Sequence, residues 1–96
     1  MRVQILDEAM ADLVDGYRFY ERQEPGLGSY FLSQLFADID GLQTHAGVHA
    51  VLYGYHRLLA KRFPYAVYYR VKDDIARVFA VLDCRQNPDC IQRRLG

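Results

Sequence analysis

Arg62-Phe63-Pro64-Tyr65-Ala66-Val67-Tyr68-Tyr69-Arg70-Val71 is the stretch on which the reading of this chain turns. It is dense in aromatic and β-branched residues, which suit a pleated and half-buried surface. Pro64 is tolerated because the first residue of a strand need not donate to the ladder. The pattern predicts a strand over 64–71. Tyr55–Lys61 and Ile75–Asp83 have the same character on either side. The connections Arg62-Phe63 and Lys72-Asp73-Asp74 are short, which predicts antiparallel neighbours.

Faces fix the register. With Asp73-Asp74 as a two-residue loop, Val71 faces Ala76, Tyr69 faces Val78, Val67 faces Ala80 and Tyr65 faces Leu82. That side is nearly all apolar and suits a core. Tyr68, Arg70, Arg77, Phe79, Val81 and Asp83 fall on the other side. In the preceding strand His56, Leu58 and Ala60 point to the core side, and Arg57, Leu59 and Lys61 to the mixed one. A one-residue slip would send Arg70 and Arg77 into the core without partners, which their charge forbids.

Upstream, Val3 and Ile5 alternate with Arg2 and Gln4, predicting a first strand over Arg2–Leu6. Asp7 fits a helix N-cap, with Glu8 in the first turn. Ala9, Met10, Leu13, Val14, Tyr17 and Tyr20 recur at helical spacing, and the helix ends before Pro25. Pro25-Gly26-Leu27-Gly28 reads as a turn. Ser29 caps a second helix carrying Phe31, Leu32, Leu35, Phe36, Ile39 and Leu42, which runs to 44–46 and stops at Gly47. Gly47 to Gly54 reads as an irregular crossing. Asn87-Pro88 is a turn, and Asp89–Leu95 makes one or two helical turns. Two amphipathic helices joined by a tight turn present a flat apolar surface that needs a sheet. The expected class is α+β, in the order β-α-α-β-β-β. An antiparallel sheet is covered on one face by a helical hairpin, and a short C-terminal helical turn follows.

A chain of 96 residues, 51% apolar and 25% charged, fits one domain over 1–96 with a small but workable core. Its formal net charge of zero argues against a general phosphate binder. The charges are unevenly spread: the second half carries Arg57, Lys61, Arg62, Arg70, Lys72, Arg77, Arg85, Arg93 and Arg94 against four aspartates, and the first half is acidic. Cys84 and Cys90 make no disulfide framework or metal spacing, so free thiols are expected. Met1 leads directly into strand-like sequence and no apolar run approaches a membrane span. A soluble, cytoplasmic protein with no membrane association is expected.

Arg57, Lys61, Arg70, Arg77 and Arg85 are expected to converge beside Tyr68 and Phe79. Such a cationic groove with an aromatic floor would hold phosphates, stack a base or receive an acidic peptide. A solvated sheet face explains the same residues. Arg70 and Arg77, predicted directly opposite each other, repel unless an anion lies between them, and Asp83 is an internal candidate. His56 is expected to be a hydrogen-bonded structural residue. His45 and His49 flank Gly47 without a third ligand, so no metal and no cofactor is expected. Ser29 and Ser33 lack a triad context, and no P-loop or dinucleotide fingerprint is present. Tyr17, Tyr20, Tyr30, Tyr65 and Tyr69 read as core, and Cys84 as a small buried thiol.

Over nearly its whole length the chain resembles the RelE/ParE superfamily of toxins from bacterial type II toxin–antitoxin systems, which includes plasmid stabilisation proteins. The resemblance is carried by Lys61-Arg62-Phe63-Pro64-Tyr65-Ala66-Val67-Tyr68-Tyr69-Arg70-Val71, by Ala80-Val81-Leu82-Asp83-Cys84-Arg85-Gln86-Asn87-Pro88, and by Arg93-Arg94-Leu95. Tyr20-Glu21-Arg22-Gln23-Glu24-Pro25-Gly26-Leu27-Gly28 adds to it. It implies a cognate antitoxin that wraps the toxin as extended chain and helix. The RelE branch cuts mRNA on the ribosome with the 2′-hydroxyl as nucleophile. Here Arg57, Lys61, Arg77, Asp83 and Arg85 would be its catalytic candidates. The last-strand position often held by histidine is Asp83, and no tyrosine follows Tyr69. The ParE branch instead binds and poisons DNA gyrase, and these departures side with it. Target- or antitoxin-binding candidates are Arg57, Lys61, Tyr68, Arg70, Arg77, Phe79 and Arg85. An mRNA endoribonuclease and a degenerate, non-toxic binding member are the alternatives, so whether the chain is an enzyme stays open.

Overall fold

A computed structural model describes residues 1–96. The elements run β1 (Arg2–Ile5), α1 (Asp7–Gln23), α2 (Leu27–Asp40), α3 (Leu42–His45), β2 (Val51–Leu52), β3 (Tyr55–Leu59), β4 (Tyr65–Lys72), β5 (Ile75–Asp83) and α4 (Pro88–Leu95). The sheet order is β1-β5-β4-β3-β2. Strands β3 to β5 are antiparallel neighbours as expected, β2 adds an antiparallel edge to β3, and β1 adds a parallel edge to β5. The sheet is therefore mixed. The α+β class and element order stand, and β2 is a further short strand within the segment read as irregular.

The α1–α2 hairpin forms because its two stripes meet. Ala9, Leu13, Gly16 and Tyr20 are buried on α1, and Gly28, Phe31, Leu35 and Ile39 on α2. Met10 and Val14, expected inward, are exposed. The spacing 9-13-16-20 selects Gly16 instead, because the ring of Phe31 occupies its side: a Cβ there would lie 2.5 Å from Phe31 Cζ. Gly28 is equally constrained, since its Cβ would meet the Tyr17 carbonyl at 2.6 Å.

The expected caps are corrected. Asp7 is the first helical residue rather than the cap, and Leu6 holds the cap position without a side-chain bond. Ser29 lies inside α2, which begins after Gly26. Glu21 does the capping instead: its carboxylate accepts from the Gly26 N–H at 3.0 Å and the Gly28 N–H at 2.9 Å. A carboxylate at a helix start satisfies free N–H groups and complements the dipole.

The β4–β5 hairpin turns through Asp73 and Asp74, both with positive φ (55° and 61°), the signature of a tight two-residue loop. Near the turn the expected register holds: Val71↔Ala76, Arg70↔Arg77 and Tyr69↔Val78. Beyond it a bulge between Tyr68 and Tyr69 leaves Phe79 unpaired, so Tyr68 faces Ala80, Val67 faces Val81 and Tyr65 faces Asp83. The extra residue flips the end of β5. Val81, expected outward, joins the hairpin core, and Ala80 and Leu82 turn to the other face.

Both faces of the sheet are thereby covered. The helical hairpin packs on one over Tyr65, Val67, Tyr69, Ala76, Val78 and Val81. Helix α4 covers part of the other, where Ile91 and Leu95 meet Tyr55, Ala66, Tyr68, Ala80 and Leu82. Asn87 caps α4 by accepting from the Asp89 N–H at 2.8 Å. Arg94 then reaches round the edge of β5 to Asp12 of α1, with Nη1 at 2.7 Å and Nη2 at 2.8 Å from the two carboxylate oxygens. Asp12 also accepts from the Val81 N–H at 3.0 Å, beyond the end of β1.

Candidate functional site

On the α4 face, β3, β4 and β5 bring Tyr55, Arg70 and Phe79 together. The Arg70 guanidinium lies 4.0 Å over the Tyr55 ring and 5.6 Å from the Phe79 ring. Its Nε donates to the Gly54 carbonyl at 3.1 Å. Arg70 and Arg77 are direct neighbours as expected, and neither makes an ion pair. Aromatic faces, not a carboxylate, hold the Arg70 charge.

Asp83 is at the far end of β5, opposite Tyr65. It accepts from the Arg85 N–H at 2.8 Å, from Arg85 Nε at 3.0 Å and from Nη2 at 2.8 Å. Hydrogen bonding from Arg85 holds the Asp83 carboxyl below the usual range against the opposing effect of burial, and Arg85 is raised in return by Asp83. A carboxylate so fixed is a poor general acid. Nearby, burial pushes the Tyr65 hydroxyl up to about 12, with Tyr20 and Asp83 adding to the effect.

Two other expected members leave the groove. Tyr68, placed outward by the sequence, is fully buried beneath α4. It cannot be an accessible contact there, because the expected open face is closed at that point. Lys61 lies past the end of β3, and its N–H donates to Asp38 of α2 at 3.2 Å. It lines a groove of about 300 Å³ on the helical side, with Leu42, His45, His49 and Leu58. Arg57 remains on the α4 face, half-buried, with Nη2 3.7 Å from Cys84 Sγ. The expected cluster is thus divided. Arg57, Arg70, Arg77 and Phe79 share one face, Arg85 is held by Asp83, and Lys61 belongs to the opposite side.

The structure also exposes what the sequence reading passed over. Val48, Val51, Leu52, Tyr53 and Leu59 are exposed along the β2–β3 edge. The Arg57 N–H donates to Ala50 at 2.9 Å, but β2 ends there in pairing terms. By strand alternation the polar backbone groups of Leu59 face the same open side. The loop beside this edge is pinned by Tyr69, whose hydroxyl accepts from the Gly47 N–H at 2.9 Å and meets His49 Nδ1. His56 stacks on Tyr69 and its Nδ1 lies 2.7 Å from the His49 carbonyl oxygen, the structural role expected of it. Burial, then the neighbouring His56 and His45, hold His49 below its ordinary pKa, consistent with a neutral ring accepting from Tyr69. The apolar run through Val48, Val51 and Leu52 was the available signal for this edge. Composition alone does not say which side of a short strand is left open.

Comparison with known proteins agrees with this architecture. No curated protein matches the chain. Among solved structures, one described as "Chromosomal ParDE TA system from P. aeruginosa" is similar, with a TM-score of 0.77 and 22% identity over 84% of this chain and 92% of that one. At that identity the likeness speaks for the fold. Residues 3–88 match the family described as "ParE toxin of type II toxin-antitoxin system, parDE". The chain belongs to the ParE family of type II toxin–antitoxin toxins, within the RelE/ParE superfamily its sequence resembles.

Proposed function

We propose that this toxin inhibits growth by binding DNA gyrase, without catalysis of its own, and is neutralised by a cognate antitoxin. The observation that supports binding over catalysis is the division of the ribonuclease candidates. A cleavage site needs cations, a base and an acid around one phosphate. Lys61 lies on the helical side, Asp83 and Arg85 satisfy each other, and Arg57 is half-buried near α4. What remains accessible is Arg70 and Arg77 with an aromatic border, a recognition surface of the kind that suits an acidic or aromatic partner.

The antitoxin reading rests on the β2–β3 edge. Leu59 is 54% and Val51 62% exposed beside an unpaired stretch of strand and the groove that Lys61 lines. Exposed apolar side chains next to free ladder groups fit an added strand followed by a helix.

The deciding experiment is induced expression without antitoxin, read separately for DNA supercoiling and mRNA integrity. Loss of supercoiling activity with intact mRNA is expected. Early codon-linked mRNA cleavage would instead support the ribonuclease reading, and normal growth at high soluble expression a non-toxic binding member. Arg77→Ala should lower toxicity while leaving the fold intact by circular dichroism.

A further inference from the structure

Two neighbouring features work against the stability of the sheet. The first is the turn between β2 and β3. Tyr53 and Gly54 form its two-residue loop, with φ of 54° and 83°. A loop with both residues left-handed suits Asn-Gly, and a bulky residue at its first position is strained. Nothing inside the chain offsets that strain: Tyr53 is 40% exposed, stacks on no other ring and belongs to neither apolar cluster. The second feature is the pair Arg70 and Arg77, like charges directly opposite each other on β4 and β5. Stacking on Tyr55 steadies Arg70 but brings no negative charge to offset the repulsion, and neither arginine makes an ion pair. The bond from Arg70 Nε to the Gly54 carbonyl, at 3.1 Å, joins the charged pair to the strained turn.

The register sets these features in line. Gln4 pairs with Arg77, Arg77 with Arg70, and Leu52 with Tyr55, over whose ring the Arg70 guanidinium lies. Paired residues share a face, so one row crosses the sheet and ends at Leu52 and Tyr53, both exposed. We propose that this row docks an acidic, extended segment of a protein partner, with Tyr53 as its apolar anchor; the proposal rests on the reading of the toxin as a binding protein. A carboxylate between Arg70 and Arg77 removes their repulsion and takes charge-assisted hydrogen bonds from both. Tyrosine and arginine are the side chains that dominate binding energy at protein interfaces. The strain at Tyr53 keeps an aromatic ring in solvent beside them, at a position where asparagine would relax the turn. Nucleic acid fits less well. The formal net charge is zero, and the Asp73-Asp74 turn closes the same hairpin, so a backbone charged at every nucleotide meets carboxylates as well as arginines.

The test titrates the isotope-labelled full-length chain, followed by NMR, with a short peptide of alternating glutamate and leucine. The same peptide with lysine in place of glutamate and a single-stranded DNA oligonucleotide are the comparisons. Saturable shifts at Tyr53, Gly54, Arg70 and Arg77 are expected with the acidic peptide alone. Tyr53→Asn should weaken that binding about tenfold. The same substitution should raise the thermal midpoint by about 4 °C, because it relaxes the turn. A residue with a merely structural role would move both readings the same way. Arg77→Gln should weaken binding to a similar degree without lowering the midpoint. No saturable shift at this row, an equal response to the lysine peptide, tighter binding of the oligonucleotide, affinity indifferent to both substitutions, or a Tyr53→Asn midpoint below the parent's would overturn the proposal. The gyrase reading fails separately: peptide binding at this row with supercoiling untouched on induced expression removes gyrase as the target and keeps the docking surface. Loss of supercoiling without peptide binding does the reverse.

Discussion

The two faces of the sheet are built to different rules. Under the helical hairpin, aromatic rings interlock: Tyr20, Phe31, Phe63 and Tyr65 meet with centroids between 4.8 and 6.2 Å apart. Under α4 the apolar cluster is smaller, seven residues against thirteen, and it shares its space with a guanidinium, a thiol and an unpaired phenol. Packing of the first kind stabilises through area and close fit. The second kind gives up part of that stability to keep polar groups at the sheet surface. The larger share of the close packing lies on one face, and the polar side chains lie on the other.

The largest expected effect tests the first face. Phe31→Ala removes a fully buried ring that touches Tyr20, Phe63 and Tyr65. It should cost about 3–5 kcal/mol in chemical denaturation. A loss no greater than that of an exposed residue would abolish the contrast between the faces.

Asp12→Ala cuts the link between them. It leaves Arg94 without its bidentate partner and the Val81 N–H without an acceptor. A loss of about 2–3 kcal/mol is expected, given the partial exposure of the pair. Amide exchange should rise in α4 before it rises in α2. Uniform exchange would mean that α4 does not rely on this contact.

A pH titration reads the border between the faces. Tyr65 has a folded pKa raised to about 12 from an ordinary value of 10.0. The raised value means that the folded state favours the neutral phenol. Its contribution is complete below about pH 10 and is lost as pH climbs towards about 12. Tyr65→Phe should flatten this part of the alkaline unfolding curve. If the variant follows the parent throughout, the shift has another origin.

Tyr68→Phe should have the smallest effect, within about 1 kcal/mol and of either sign, because the hydroxyl it removes has no partner. A loss comparable to that of Phe31→Ala would show that the second face is as tightly specified as the first.

Much of the architecture was legible because charge and periodicity agreed. Arg70 and Arg77 fixed the register at the Asp73-Asp74 end, since no other phase keeps both out of the core. The bulge at Phe79 was not legible, for the complementary reason. Ala66-Val67 and Ala80-Val81-Leu82 are apolar in both phases, so alternation carries no information about which side each residue takes. Tyr68 falls on the expected face but is buried rather than accessible, because Ile91 and Leu95 of α4 dock over it. The site suffered most from distance. Lys61 and Asp83 lie at strand ends, where a small change of direction carries a side chain to another face or another partner.

The contact between Asp12 and Arg94 has a consequence for how the chain comes together. It joins positions 82 residues apart, and the parallel pairing of Arg2 with Ile75 is nearly as distant in sequence. Contacts of this separation are slow to form. While the chain is being synthesised, β1 and Asp12 of α1 have no partner until everything between them and β5 has been made. The helical hairpin can assemble early from local contacts, whereas the sheet edge and α4 close over it late. The opening of the protein is thus completed by its last third.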